Sequence, residues 1–222
     1  MNREKDVKSG FGGNVFDAIR KKFLIFKVLE HQDSDSFGEL YDLYLPQIYR
    51  FVYFKVLRKE EAEDLSAQTF FKAWEYLKSA SAQGKTIDNF DALIYTIARN
   101  TVIDFYRKRA KDGKPADLSE GERIEAEESG IQSEIFQGSF GELEGALRQL
   151  KDLHREVIVL RFLEERNISE IAEITGKTSS HVRVILHRGL QALKQILIHE
   201  NSRAHEKSKI PEGNLPVQGL AV

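Results

Sequence analysis

Residues 167–188 (NISEIAEITGKTSSHVRVILHR) constrain the fold more than any other stretch, because they encode two short helices and a tight turn. Asn167 and Glu170 have the spacing of a capping box, in which each side chain bonds to the backbone of the other residue. Gly176 stands where the first helix must end with a positive φ angle. The residues predicted to face inward on that helix follow helical spacing and are Ile168, Ile171, Ala172 and Thr175. The stretch therefore predicts a helix-turn-helix.

The second helix of this pair begins at Thr178, whose side chain is suited to cap it. Its predicted apolar face consists of Val182, Leu186, Leu190 and Leu193. Arg183, His187 and Arg188 then point outward, where they can contact the bases and phosphates of DNA. An ordinary helical hairpin in a globular core would show the same pattern. DNA binding and a purely structural role therefore both remain open at this point.

The rest of the chain is also predicted to be helical, because no stretch alternates between apolar and polar residues with the period of two that strands show. Helices are predicted at about 14–30, 36–44, 46–57 and 59–77 and from 88 or 89 to 111. Helices are predicted to resume at about 143 and to continue through 163 to the helix-turn-helix, and the last helix is predicted to run on to about 199. Pro46 is expected to open a helix, since proline at the first helical position forfeits no hydrogen bond. Residues 79–85 (SASAQGK) are predicted to form a loop.

A strongly acidic segment separates two basic parts of the chain. The net charge of the whole chain is −2. Residues 115–145 contain nine acidic residues and one arginine, a local charge of −8, which leaves +6 for the rest. This segment has too little apolar surface to offset the entropy of ordering, so it is predicted to be a flexible linker. The predicted fold class is therefore all-α, with two small helical domains joined by a flexible acidic linker.

The predicted domain boundaries follow from these elements. They are an N-terminal extension with a helix (1–32), a first domain (33–111), the acidic linker (112–142), a second domain (143–199) and a flexible tail (200–222). No apolar run reaches the roughly 18 residues of a membrane span. We also recognise no signal peptide.

Nothing in the sequence predicts catalysis or a metal site. The chain has no cysteine, which excludes disulfides and cysteine-ligated zinc. His181 and His187 are six residues apart, about 240° around a helix, so they cannot both bind one metal ion. The HExxH, P-loop and G-x-S-x-G motifs are missing as well. We therefore expect no enzyme activity, no cofactor and no small-molecule substrate.

The helix predicted at 59–77 has a polar face that includes a large aromatic residue. Asp64, Gln68 and Phe71 lie at i, i+4 and i+7, with Lys72 beside them. An exposed aromatic ring among charges on a rigid helix is typical of a protein-docking face. A solvated face with one stray phenylalanine would look the same, so both interpretations stay open.

The helix predicted at 89–111 carries a basic face. Arg99 and Arg107 share one stripe, beside Asn100, Asp104 and Lys108. Arginine and lysine neutralise phosphates, and asparagine and arginine bond to base edges, so nucleic-acid contact is one interpretation. The alternative is a basic helix end that complements the helix dipole. That alternative explains Lys108 better than it explains Arg99 in the middle of the helix.

In their order and spacing these segments resemble the extracytoplasmic-function (ECF) group of bacterial RNA polymerase sigma factors. The resemblance covers about 36–111 and 143–197. The run FGELYDLYLPQIYRFVYFKVLRKEEAEDLSAQTFFKAWEYL resembles the opening of region 2, FDALIYTIARNTVIDFYRKRAK resembles its promoter-binding helix, and LKDLHREVIVLRFLEERNISEIAEITG resembles region 4. The resemblance implies a non-enzymatic, dissociable subunit with which core polymerase finds and opens promoters.

The resemblance also implies roles for the residues singled out above. The clamp helices of polymerase would bind Asp64, Gln68, Phe71 and Lys72. The −10 element would be bound by Ser81, Lys85, Arg99, Asn100, Asp104, Arg107 and Lys108. The −35 element would be bound by Lys177, Ser179, Ser180, His181, Arg183, His187 and Arg188. The flap of polymerase would face the surroundings of Arg161, and the linker would run through the RNA exit path.

Partners and location are likewise implied by the resemblance alone. They are core RNA polymerase (clamp helices and flap), promoter DNA, an anti-sigma protein that in this family is often membrane-bound, and the bacterial cytoplasm. Two positions depart from the family's pattern. Leu93 replaces a frequent tryptophan, so strand separation would depend more on the promoter sequence. Ile185 replaces a frequent basic residue, and it is expected to touch a thymine methyl but no phosphate.

Gly189 lies within the last predicted helix, where glycine costs about 1 kcal/mol relative to alanine. We expect it to allow close packing of another element. Two other functions also fit the helical pattern: a free-standing helix-turn-helix regulator that binds DNA as a dimer, and an adaptor without a DNA function. The face that carries Phe71 distinguishes them, since a sigma factor needs it for polymerase and a regulator has no use for it.

Overall fold

The computed structural model describes residues 12–112 and 140–207, with side chains at 16–112 and 143–199. Within these ranges the chain forms eight α-helices and one π-helical turn and no strand, which confirms the all-α prediction. Most of the predicted linker and tail, together with residues 1–11, lies outside the described residues.

The helices fall into two groups along the chain. The first group is α1 (Gly12–His31), α2 (Ser34–Val56), α3 (Lys59–Ala82) and α4 (Phe90–Lys111). The second group is α5 (Phe140–Arg148), α6 (Asp152–Ile158), the π-helical turn (Val159–Leu163), α7 (Ile168–Thr175) and α8 (Ser179–Lys207). The two groups pack together, with α7 against α4 and with α6 and the π-helical turn against α2.

Helix α2 runs through Pro46 without interruption, so the prediction of two separate helices here was wrong. A proline inside a helix removes a backbone hydrogen bond and costs about 3 kcal/mol. The buried side of α2 outweighs this cost. Leu40, Tyr44 and Ile48 are each at most 1% exposed, and burying one large apolar side chain stabilises a fold by about 1.5–3 kcal/mol. Pro46 has no N–H group to donate to the backbone carbonyl four residues earlier. Because Pro46 is exposed, water can donate a hydrogen bond to that carbonyl instead.

Helix α3 extends to Ala82, which is beyond its predicted end. The predicted loop at 79–85 was therefore wrong for its first four residues. Ala80 is only 3% exposed, and the hydroxyl of Ser81 donates a hydrogen bond to the Leu29 carbonyl of α1. These tertiary contacts extend the helix through a segment whose composition is that of a loop.

Helix α1 packs on α2 and α3 through Leu24, Ile25 and Val28, which are buried. The sequence also places Phe16, Ile19, Phe23 and Phe26 at helical spacing along this helix, which predicts that they form its buried side, but that stripe faces solvent. Each of these four side chains is more than half exposed. Helix α1 therefore enters the core with a side that the sequence pattern did not single out.

The helix-turn-helix forms as the sequence predicts. The side-chain oxygen of Asn167 accepts hydrogen bonds from the N–H groups of Ser169 (2.9 Å) and Glu170 (3.0 Å), and a Glu170 carboxylate oxygen accepts from the Asn167 N–H (2.7 Å). Gly176 has a φ angle of +66°, which glycine adopts without a steric penalty. Local side-chain chemistry thus sets both ends of α7.

The buried side of α8 differs from the predicted one. It consists of the buried or partly buried residues Val182, Ile185, Leu186, Gly189 and Leu193. Leu190, predicted to face inward, is 38% exposed, and Ile185 is only 4% exposed. The reason is that α6 packs against α8 at Gly189, where its Ile158 and His154 come close to the glycine backbone. This approach turns the side with Ile185 into the core and confirms the close packing expected at Gly189.

Candidate polymerase-binding and nucleic-acid-binding surfaces

The face of α3 predicted to bind polymerase is exposed along its length. Its members Asp64, Gln68, Phe71 and Lys72 all face solvent. Phe71 is 67% exposed, so most of this large aromatic ring faces solvent. Because the opposite side of α3 is buried in the bundle, the helix holds this ring rigidly among polar groups, as a docking face requires.

An apolar groove of about 320 Å³ adjoins Phe71 between α2 and α3. It is lined by Ser34, Phe37, Tyr41, Ala67, Phe70, Phe71 and Trp74. Two aromatic pairs hold its walls, with ring centroids 5.0 Å apart for Phe37 and Trp74 and 4.6 Å apart for Tyr41 and Phe70. No sequence pattern reveals this groove, because its two walls come from separate helices.

The residues on the basic side of α4 differ in their exposure. Asn100, Asp104, Arg107 and Lys108 are exposed, as predicted for nucleic-acid contacts. Arg99 is engaged instead, because its Nε donates a hydrogen bond to Oε1 of Glu156 at 2.8 Å and its side chain is only 23% exposed. One predicted −10 contact is therefore paired with a carboxylate of α6 in this structure.

The two predicted −10 residues outside α4 have different surroundings. Ser81 lies in α3, is partly buried, and donates its hydroxyl hydrogen to the Leu29 carbonyl. Lys85 is exposed in the short connection between α3 and α4. Lys85 is thus free to bind a phosphate, whereas the Ser81 hydroxyl already has a partner.

The polymerase face and the nucleic-acid face adjoin one another. Nζ of Lys72 on α3 lies 3.8 Å from a carboxylate oxygen of Asp104 on α4. The other oxygen of Asp104 lies 3.6 Å from the Arg107 guanidinium. All three side chains are exposed, so these pairs are weak and leave the cations able to change partners.

Helix α8 presents its first turns to solvent. Ser180, His181, Arg183, His187 and Arg188 are exposed, and Lys177 and Ser179 are partly buried. The hydroxyl oxygen of Thr178 accepts a hydrogen bond from the His181 N–H at 3.2 Å and so caps the helix. Among the described residues, neither Arg183 nor Arg188 has a carboxylate within salt-bridge distance. Both guanidinium groups are therefore available for phosphates.

Ile185 does not lie on this outward face. It is 4% exposed, so the expectation that it touches a thymine methyl was wrong. The neighbouring Val184 is 46% exposed, so the fold directs this apolar side chain outward in place of Ile185. The error has a physical cause: the side of α8 that is buried depends on where α6 crosses it.

Glu164 follows the π-helical turn and lies buried between the two helical groups. Arg50 binds both of its carboxylate oxygens, at 2.7 and 3.0 Å, and the Tyr95 hydroxyl donates to it at 2.8 Å. Burial raises the pKa of the Glu164 carboxyl, although the bonds from Arg50 and Tyr95 oppose this shift. Burial lowers the pKa of Arg50, but the Glu164 carboxylate outweighs it and raises that pKa overall. The short, two-pronged geometry is that of an ionised pair.

Other kinds of site are missing from the described part of the chain. Residues 12–112 and 140–207 contain no group of three or more His, Cys, Asp or Glu side chains placed to hold a metal ion. None of the helices described above is both long enough and apolar enough to span a membrane.

Two protein-family models match this chain: Sigma-70 region 2 over residues 40–112 and Sigma-70 region 4 over residues 146–195. The sequence is also 30% identical to the ECF RNA polymerase sigma factor SigW of Bacillus subtilis over 183 residues, which span 77% of this chain and 94% of SigW. The chain belongs to the ECF sigma factors.

Further relatives of this ECF sigma factor agree with the assignment. It is 34% identical over 165 residues to the RNA polymerase sigma factor YlaC of Bacillus subtilis, covering 72% of this chain and 91% of YlaC. It is 33% identical over 170 residues to the ECF RNA polymerase sigma factor BldN of Streptomyces coelicolor. That match covers 74% of this chain but only 61% of BldN.

Two solved structures share the fold of this sigma factor. The sigma factor RpoE of Bartonella quintana, solved with the anti-sigma factor NepR, has a TM-score of 0.59 and 24% identity, covering 72% of this chain and 96% of RpoE. CnrH, solved with the cytosolic domain of CnrY, has a TM-score of 0.58 and 18% identity, covering 81% of this chain and 98% of CnrH. At these identities the likeness supports the fold alone.

The presence of both sigma regions in one chain favours the sigma factor over the free-standing regulator considered from the sequence. The functional feature that no sequence pattern revealed is the set of contacts between the two helical groups. Arg50 and Glu164 are 114 residues apart, and each looks like an ordinary charged residue in its own segment. No local pattern signals that they form a pair.

Proposed function

We propose that this sigma factor directs core RNA polymerase to promoters and assists their opening. The observation that carries the proposal is the exposed ring of Phe71, which adjoins the aromatic groove between α2 and α3. A protein that only bound DNA would gain nothing from this apolar surface. The clamp helices of polymerase are the partner that the family resemblance assigns to it, through Asp64, Gln68, Phe71 and Lys72.

The proposed −10 surface lies beside this docking face. The exposed residues Lys85, Asn100, Arg107 and Lys108 combine phosphate-neutralising cations with an amide that can bond to a base edge. Asp104 and the two residues engaged in this structure, Ser81 and Arg99, complete the proposed set. Proximity to the docking face supports the proposal, since polymerase bound through α3 would hold the non-template strand close to α4.

The proposed −35 surface is the outward side of α8 and the turn before it. Lys177, Ser179, Ser180, His181, Arg183, His187 and Arg188 form this set. Each domain offers few DNA contacts, so each would bind weakly alone. Polymerase holding both domains raises the effective concentration of each at its element, which strengthens binding without a larger interface. The flap of polymerase is the proposed partner for the surroundings of Arg161.

The remaining partners are proposed by analogy. RpoE and CnrH were solved with NepR and the cytosolic domain of CnrY, respectively, so an anti-sigma protein is the expected inhibitor of this chain. A bacterial cytoplasmic location, with membrane retention through such an inhibitor, belongs to the same proposal. No enzyme activity, cofactor or small-molecule substrate is part of it.

Run-off transcription with purified core polymerase tests the proposed function. Added wild-type protein should produce defined transcripts, and Phe71→Ala should abolish them and weaken retention of the protein on immobilised core polymerase. Phe16→Ala is the matched control, because Phe16 is also a highly exposed ring, 75% exposed, but lies on α1 outside the docking face. Full activity of Phe71→Ala, or tight binding of the wild type to duplex operators as a symmetric dimer without polymerase, would defeat the proposal.

A further inference from the structure

The two helical groups are joined by carboxylates of the second group that enter the first. Glu164 has a side chain with no exposure, and Arg50 and Tyr95 surround it. Its three hydrogen bonds, two from Arg50 and one from Tyr95, all come from α2 and α4. A buried carboxylate needs such compensation, because removing one charge partner from a buried pair leaves an unpaired charge in a low dielectric.

A second buried carboxylate repeats this arrangement on α6. Glu156 has a side chain only 1% exposed, and it accepts hydrogen bonds from Nζ of Lys55 at 3.1 Å and from Nε of Arg99 at 2.8 Å. Lys55 also binds Asp152 at 2.6 Å. Both cations belong to the first group, so these carboxylates likewise link region 4 to region 2.

In a third contact the cation belongs to the second group and its acceptors belong to the first. Arg166 of the second group donates hydrogen bonds to Asp91 (2.9 Å) and Gln47 (3.1 Å) of the first. Its guanidinium also lies 5.0 Å from the centre of the Tyr95 ring, within the range of a cation–π interaction. Charged side chains of each group therefore bind polar groups of the other.

This packed arrangement is incompatible with simultaneous binding of both promoter elements. Positions −10 and −35 are separated by about 25 base pairs, or about 85 Å of duplex at 3.4 Å per base pair. A compact chain of this length has a radius of gyration of only about 17 Å. The interface also occupies Arg99, one of the proposed −10 contacts. The two groups must therefore separate before the protein can act on a promoter.

The same interface leaves the polymerase-docking face open. Phe71 and Lys72 on α3 are exposed, as are Arg183 and Arg188 on α8. Polymerase can therefore reach its proposed site on α3 while the two groups are still packed together. Docking and opening are separable steps on this geometry.

We propose that Glu156 and Glu164 form a latch that keeps the free protein closed, and that polymerase docks on α3 before the latch opens. The latch is built from ion pairs whose attraction is largely offset by desolvation, so a docking partner can open it without unfolding either domain. The closed state withholds Arg99 from nucleic acid until the protein is on polymerase. The polymerase and −10 roles in this inference rest on the proposed function, whereas the latch itself does not.

Small-angle X-ray scattering on the full chain tests the latch directly. The double variant Glu156→Gln and Glu164→Gln removes both buried charges at nearly constant shape, and we expect a larger radius of gyration than that of the wild type. The matched control is Glu39→Gln with Glu75→Gln, which removes the same charge from exposed ion pairs and should leave the radius unchanged. Circular dichroism establishes that each variant keeps its helices, and Glu156→Gln alone should give an intermediate radius if the double variant is poorly folded.

Anisotropy of fluorescein-labelled single-stranded dT12 tests the masking of Arg99. Apparent affinity is reduced by the fraction of molecules that are competent to bind, so opening should strengthen dT12 binding of the double variant by about tenfold. Arg99→Gln should also open the chain but gain no such affinity, because the released cation is gone.

An unchanged radius of gyration in the double variant would overturn the latch. A larger radius with unchanged dT12 affinity would overturn the masking. The proposed function fails by a different result, the absence of run-off transcripts with wild-type protein and core polymerase. The scattering measurement does not depend on that result, so the two failures are distinguishable.

Discussion

Gly189 of α8 lies directly against Ile158 of α6, and a methyl group at this glycine would sit 3.1 Å from Cδ1 of Ile158 and 3.2 Å from Cβ of His154. Alanine normally stabilises a helix by about 1 kcal/mol relative to glycine. Here the close approach opposes that gain, and Cβ of His154 cannot move without its backbone. We therefore expect Gly189→Ala to lower the free energy of unfolding by about 1 kcal/mol through overpacking, as measured by urea titration.

Gly145 provides the matched control, since it is a helical glycine for which no described residue lies within 4 Å of an added Cβ. Gly145→Ala should raise the free energy of unfolding by about 0.5–1 kcal/mol. If both substitutions stabilise the protein equally, the contact with Ile158 and His154 has no energetic consequence.

The neighbours Ile185 and Val184 should contribute very differently to stability. Ile185 is 4% exposed, so Ile185→Ala should lower the free energy of unfolding by about 2–5 kcal/mol. Val184 is 46% exposed, so Val184→Ala should change that free energy by less than about 0.5 kcal/mol. Thermal melts of the two variants make the comparison, and equal losses of stability would show that the side of α8 facing the core is wrongly assigned.

The arginines on the outward side of α8 should bind DNA phosphates. Arg183→Ala and Arg188→Ala should each weaken the binding of polymerase holoenzyme to promoter duplex. The slope of log K against log salt should become shallower by about 0.9 for each phosphate that the variant no longer neutralises.

Lys194→Ala is the control for these arginines, because Lys194 is an exposed cation of the same helix outside the proposed −35 set. It should leave both affinity and slope as in the wild type. Should the arginine variants keep the wild-type slope, their guanidinium groups do not contact phosphates.

Tyr49 should make the protein sensitive to alkali. Burial, assisted by the nearby charges of Glu63 and Glu60, raises the pKa of Tyr49 to about 12, above its ordinary value near 10. The folded state therefore favours the neutral phenol. Its contribution to stability is fully present below pH 10 and is lost as the pH rises from about 10 to about 12.

Tyr49→Phe should remove this contribution, so its free energy of unfolding should fall less steeply than that of the wild type between pH 10 and 12. At pH 7 the substitution should cost little, because among the described residues the buried Tyr49 hydroxyl has no hydrogen-bond partner. Tyr76→Phe, at a residue 46% exposed, is the control. Urea titrations at pH 7, 10 and 11 measure all three proteins, and identical pH slopes for Tyr49→Phe and wild type would contradict the assignment.

Some elements follow from the sequence because their causes lie within a few residues. The capping box of Asn167 and Glu170 and the left-handed Gly176 need only their own turn of chain, and both form as predicted. The exposed polar face around Phe71 is similarly a matter of helical spacing on a single helix. The family resemblance, carried by ordered motifs over two regions, also belongs to the sequence.

Other features depended on contacts between distant segments. Burial of Leu40, Tyr44 and Ile48 keeps α2 continuous through Pro46, and the Leu29 carbonyl helps to extend α3 beyond its predicted end. Arg99 has the spacing of a nucleic-acid contact, yet its Nε donates a hydrogen bond to Glu156, because α6 packs against α2 and brings this carboxylate within reach of α4.

By itself, then, the sequence determined the helices' chemistry, the helix-turn-helix and the identity of the family, since these arise from short-range spacing and order. Tertiary structure alone decided which face of α1 and of α8 is buried and which charged residues are paired. Those choices depend on the energy of packing one helix against another, and a one-dimensional pattern cannot supply that energy when two faces of a helix are equally apolar.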